Sequence, residues 1–190
     1  MPKCKTCQFA LVSSSDVECD ACVGNTNKNT FLENTVEQFL KQNDDLALYT
    51  SRNKQIPCAP TKRRPDFYYA LEDRVVILEV DESEHRYNAE ECETRREHEL
   101  LDAIPPDKYL VIVRFNPNPQ QSNFYTAFER LGTKLRYAFV TDDVKYTEDG
   151  ILRIFLNYTD GRKRKLAAAM AADQRSGLRL EGGPCVAEKN

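Results

Sequence analysis

The chain has 190 residues, 41% of them hydrophobic and 30% charged, with a formal net charge of −3 at pH 7. That length suits one ordinary domain with a small appendage. No run approaches the roughly 18 apolar residues of a membrane span, and MPKCKTCQ lacks the apolar core of a signal peptide. An intracellular, reducing location, cytoplasm or nucleus rather than secreted, is therefore expected. There the seven cysteines read as metal ligands or buried thiols, not disulfides. The acidic balance does not advertise a nucleic-acid binder, but basic clusters occur at Lys62, Arg63 and Arg64, at Arg95 and Arg96, and from Arg162 to Lys165.

In chain order, the first feature is Cys4-x2-Cys7 and Cys19-x2-Cys22, with eleven residues between the pairs. Four thiolates close a tetrahedral Zn²⁺ shell, and such closed shells are structural. A module this short has too few apolar residues to fold alone, so Zn²⁺ would supply its stability. Whether it docks a protein or supports the fold is open. Residues 1–28 are assigned to this module, 29–175 to the main domain and 176–190 to a tail. Cys58, Cys92 and Cys185 lack paired spacing and read as packing residues.

FLENTVEQFLKQ sets Leu32, Val36, Phe39 and Leu40 on one helical face, with Thr30 as N-cap and Glu33 in capping-box position. DLALYTS, 45–51, reads as a strand, and residues 63–85 as a hairpin. ECETRREHELLDAI is helical and stops at Pro105-Pro106. KYLVIVRF reads as a strand buried on both faces. NFYTAFERLGTKL predicts a helix and YAFVT a short strand. ILRIFLNY predicts a late strand and KLAAAMAADQR a last helix. The strand–helix–strand step over 75–115 implies two parallel strands. The expected fold is an α/β domain with a mixed central sheet, preceded by the cysteine module.

The hairpin RRPDFYYALEDRVVILEVDESEH raises a physical question, because carboxylates interrupt its strands. A two-residue turn at Glu72-Asp73 sets Tyr68 opposite Ile77 and Asp66 opposite Glu79. Directly opposed residues share a sheet face, with Cβ atoms about 4.5–5.5 Å apart, and like charges there destabilise the sheet. Asp81 falls on the same face. Taken singly, each carboxylate fits a solvent-facing position. An opposed pair beside the apolar run VVILEV is better explained by a divalent cation. Mg²⁺ takes one or two carboxylates and fills its octahedron with water and phosphate oxygens. Asp66 and Glu79 are the candidate ligands. Asp81, Glu82 and His85 extend the group past the strand end, where ligand sites of α/β folds lie. His85, with an ordinary pKa of about 6.5, is a candidate general base or a structural histidine. His98, inside a helix, reads as a surface or packing residue.

Pro65-Asp66 on one strand, Glu79 on the next and an acidic residue on the preceding helix resemble the PD-(D/E)XK, or restriction-endonuclease-like, nuclease superfamily. The resemblance spans about residues 31–116 and includes an αβββαβ element order. RPDF, E-x-D-E-x-x-H and the acidic–Arg helix motif are similar to a branch found in large DNA viruses and some protists. They are also similar to the very-short-patch repair endonucleases. A virus-encoded origin fits that branch. The resemblance implies Mg²⁺- or Mn²⁺-dependent hydrolysis of DNA phosphodiester bonds, with Asp66 and Glu79 holding the metal and Glu33 as the helix carboxylate. Glu37 is the competitor for that last role, and capping is the structural alternative for Glu33.

One departure matters. The superfamily's lysine, two residues after the second acidic residue, is here Asp81. Either Asp81 acts in a variant site with His85 as base, or the site is inactive and the chain binds nucleic acid or a protein. Glu93 and Arg96 match the helix pair, as phosphate or His85 contacts or as a plain ion pair. Lys62, Arg63, Arg64, Arg95 and Arg96 are the candidate contacts to DNA. A homodimer is one route to cutting both strands. A glycosidase with paired carboxylates is a poor alternative without Trp to line a sugar cleft.

Overall fold

The computed structural model describes residues 28–56, 63–81, 90–117, 124–147 and 149–172. Helix α1 (Lys28–Lys41) leads into a short strand β1 (Ser51–Arg52), then β2 (Phe67–Ala70) and β3 (Arg74–Val80). Helix α2 (Glu90–Leu101) precedes β4 (Tyr109–Phe115). Helix α3 (Phe124–Val140), a 3-10 turn (Asp143–Tyr146), β5 (Ile151–Leu156) and α4 (Asp160–Ala172) complete the order. The cysteine module, Lys62, Glu82, His85, Cys58, Cys185 and the tail from 176 lie outside the described residues. Among the described residues no helix is long and apolar enough to cross a membrane.

The five strands form one mixed open sheet in the order β1-β2-β3-β4-β5. β1, β2 and β3 run antiparallel, whereas β3, β4 and β5 are mutually parallel. The parallel step from β3 to β4 is the one expected from sequence. Strands with helices on both sides should be apolar on both faces, and every residue of β3 is buried. Side chains alternate across the sheet. Val76, Leu78, Val111, Val113 and Phe115 join Val36, Leu40, Phe128 and Leu131 of α1 and α3 in one core. Val75, Ile77, Leu110, Ile112 and Ile151 join Leu100 and Leu101 of α2 in the second. The aromatic ring of Phe128 sits edge-on to both Phe39 and Phe115, which ties α3 to α1 and β4.

Three local expectations need correction. α1 begins at Lys28, so Thr30 lies inside the helix and is not its N-cap. Over 45–51 only Ser51 belongs to a strand. Asn43 turns the chain there, its carbonyl accepting from Leu46 and Ala47 N–H and its amide donating to the Phe39 carbonyl. Leu46 is then fully buried while Leu48 is 71% exposed, so the alternation of DLALYTS is not that of a strand. YAFVT continues α3 rather than forming a strand. Leu131, Leu135 and Ala138 recur at helical spacing and are all buried. Gly132 does not break the helix. A Cβ there would meet the rim of Phe39 at 3.2 Å, so the glycine lets α1 and α3 approach.

Candidate functional site

The hairpin closes as its sequence requires. Leu71 N–H donates to the Arg74 carbonyl across Glu72-Asp73, and Phe67 pairs with Leu78 and Tyr68 with Ile77. One more residue in that register sets Asp66 opposite Glu79. Asp66 lies just before β2, and its Oδ2 accepts the Val80 N–H at 2.7 Å. Glu79 in β3 and Asp81, just past its end, lie on the face toward α2, at the carboxyl end of the parallel strands.

Burial dominates the electrostatics of the pair. Desolvation, with Glu33 and Asp81 nearby, raises Asp66 to about 6 despite the Val80 N–H and Arg96. Glu79 is pushed well above the usual carboxylate range by burial, then by Asp66 and Asp81. Arg96 opposes that shift. Its Nη2 donates to Glu79 Oε2 at 2.6 Å from α2. Glu79 Oε1 is buried and has no hydrogen-bond partner among the described residues.

Asp81 is placed differently. It is fully buried, and Arg114 Nε donates to its Oδ2 at 2.5 Å, with the Tyr158 hydroxyl on the same oxygen. Arg114, the one charged residue in β4, also donates to Glu97 at 3.2 Å and to Glu93. Glu97 accepts in turn from Arg153 Nε at 2.6 Å. β3, β4, β5, α2 and the segment leading into α4 thus meet in a buried ionic hub. Burial pulls the Arg114 guanidinium pKa down, but Asp81 foremost, with Tyr158 and Glu93, outweighs it and holds Arg114 charged. This hub was missed in the sequence reading. Its signal is visible: VIVRF and ILRIF each carry one arginine in an apolar strand, and a buried cation needs carboxylate partners.

On α1, Glu33 accepts from Asn53 Nδ2 at 2.7 Å and lies near enough to raise Asp66. Glu37 is engaged elsewhere, by the Tyr49 hydroxyl and Arg52 Nη1, each at 2.8 Å. Arg52 Nη2 also lies 3.6 Å from Glu33, and of the two helix carboxylates Glu33 is the one that acts on Asp66. Of the basic candidates, Arg96 reaches the site, Arg63 pairs with Glu99 at 2.7 Å, and Arg64 and Arg95 are exposed.

Among the described residues no three His, Cys, Asp or Glu side chains converge tightly enough to enclose a metal. Two carboxylates suffice for Mg²⁺ when water and phosphate complete its shell. Asp66 and Glu79 fit that role on their own chemistry: hard oxygen donors, desolvated, mutually repelling, with one buried oxygen unengaged. Among the described residues, the arginines that pair with or act on the wider cluster of Asp66, Glu79, Asp81, Glu93 and Glu97 are Arg96, Arg114 and Arg153. Burial, together with the crowding of five carboxyl groups around three guanidinium groups, makes Asp66 and Glu79 hold their protons more tightly, and a bound cation would supply the positive charge that their ionisation lacks. Comparison with family models, curated proteins and solved structures gives no match.

Proposed function

We propose that the chain is a metal-dependent endonuclease that hydrolyses DNA phosphodiester bonds. The observation that carries this reading is the Asp66–Glu79 pair, two desolvated carboxylates with raised pKa at the carboxyl end of β3. A fold tolerates such a pair when a bound cation offsets the repulsion. When bound, Mg²⁺ or Mn²⁺ would activate a water and screen the scissile phosphate.

The chain's own residues do the rest. Asp66 and Glu79 hold the cation, and the Val80 N–H fixes the Asp66 carboxylate by bonding its Oδ2. Glu33 adds negative charge from α1. Asp81 acts as a support: with Arg114 and Tyr158 on its carboxylate it anchors the end of β3 to the hub. His85 remains the candidate base that takes the proton from water. Arg63, Arg64, Arg95 and Lys62 are proposed contacts to the DNA backbone, through charge complementarity with phosphate. Cys4, Cys7, Cys19 and Cys22 are proposed to hold a structural Zn²⁺.

A second reading has one observation behind it. No lysine follows Glu79 at the second position, and Asp81 is committed to Arg114. A chain that binds nucleic acid or a protein without cutting is consistent with that. Supercoiled plasmid with Mg²⁺ or Mn²⁺ separates the two. Nicking by the wild type that is lost in Asp66→Ala and Glu79→Ala is the expected result. No cleavage of any DNA or RNA would favour the binding module.

A further inference from the structure

Arg96 and Glu79 form an unevenly built ion pair. An arginine and a carboxylate pair most strongly through two parallel N–H···O bonds. Here one bond is made, from Nη2 to Oε2 at 2.6 Å. Oε1 of Glu79 and Nε of Arg96 are both buried and have no hydrogen-bond partner among the described residues. Arg114 contrasts with this: its three nitrogens are spread over Asp81, Glu97 and Glu93. Arg96 is also the more accessible member, its side chain 22% exposed against 5% for Glu79. Both residues line one small cavity between α2 and the sheet, so the guanidinium has space beside it.

We propose that Arg96 is a resident counter-cation of the Asp66–Glu79 site, which a divalent cation displaces and which then binds a phosphate of the substrate. This rests on reading the site as cation-dependent. A guanidinium and a divalent ion compete for the same carboxylate and repel each other, strongly so in a partly desolvated site. Glu93, about one turn before Arg96 on α2, and Glu97, the residue after it, are clamped to Arg114, so the helix backbone stays and the Arg96 side chain swings. The displaced guanidinium carries its charge to the rim of the site. Its planar fork matches the oxygens of a phosphate. Cation binding and phosphate binding then favour each other reciprocally.

The test measures Mn²⁺ binding to the full chain by electron paramagnetic resonance, with Glu79→Gln marking background from any other site. Arg96→Gln removes the competitor. Arg95→Gln makes the same charge change at the exposed neighbouring position. The expected result is Mn²⁺ binding roughly tenfold tighter in Arg96→Gln, with Arg95→Gln near wild type. A non-cleavable oligonucleotide should tighten Mn²⁺ binding in the wild type and not in Arg96→Gln. Arg96→Lys, which keeps the charge, guards against misfolding of the glutamine variant; it should bind Mn²⁺ like wild type and lose most of the coupling. Equal shifts in Arg96→Gln and Arg95→Gln, or full coupling in both Arg96 variants, overturn the proposal and leave the cation site standing. Absence of Mn²⁺ binding above background in every variant overturns both.

Discussion

Asp66 carries opposing demands. Its folded pKa of about 6 lies above the ordinary 3.8, so the folded chain holds that proton more tightly than the unfolded chain does. Stability is therefore lost as pH rises from about 3.8 to about 6, by up to about 3 kcal/mol. Asp66→Asn cannot ionise, yet its side-chain oxygen still accepts from Val80 N–H. In EDTA, urea unfolding should show the variant more stable than wild type above pH ~6 and nearly equal near pH ~4. The same difference at both pH values would contradict this. Arg114 makes the reverse case. Arg114→Gln takes the guanidinium from Asp81 and Glu93 in the interior, while Glu97 keeps Arg153, and removing one partner of a buried ionic group costs about 3–5 kcal/mol. Urea unfolding near neutral pH checks it, and a loss under about 1 kcal/mol would show that the hub relaxes.

At the scale of elements, the two cores act through the sheet that divides them. Phe128→Ala removes a fully buried ring that touches both Phe39 and Phe115, and should cost about 3–5 kcal/mol by thermal or urea unfolding. A loss near 1 kcal/mol would mean that α3 and α1 close over the void. The hairpin was fully legible in the sequence, because alternation and a two-residue turn fix register together. The parallel β3–β4 pair was legible from continuous apolar runs bracketing a polar helix. DLALYTS and YAFVT were not. Short apolar runs do not separate strand from helix, and what decided them was tertiary: Tyr69 bonding the Leu46 carbonyl, and Leu131, Leu135 and Ala138 on one buried stripe. In the site, opposed Asp66 and Glu79 could be read from register alone. The commitment of Asp81 to Arg114 and Tyr158 could not, since it joins residues 33 and 77 positions apart.

Over the whole molecule, charge is sorted rather than merely summed. The formal −3 includes buried carboxylates gathered at one end of the parallel strands, with the ionic hub beside them. The hub satisfies Asp81, Glu93 and Glu97 with arginine, and leaves Asp66 and Glu79 short of positive charge. That asymmetry underlies our proposal that the deficit is a cation site for phosphodiester hydrolysis. The most direct measurement is the rate of plasmid nicking against Mn²⁺ concentration for wild type, Asp66→Asn and Glu79→Gln, each verified as folded. Saturable Mn²⁺-dependent nicking by wild type, lowered by roughly 10²-fold or more in both variants, is the expected result. Equal nicking by wild type and both variants, or none by wild type at any Mn²⁺ concentration, would contradict it.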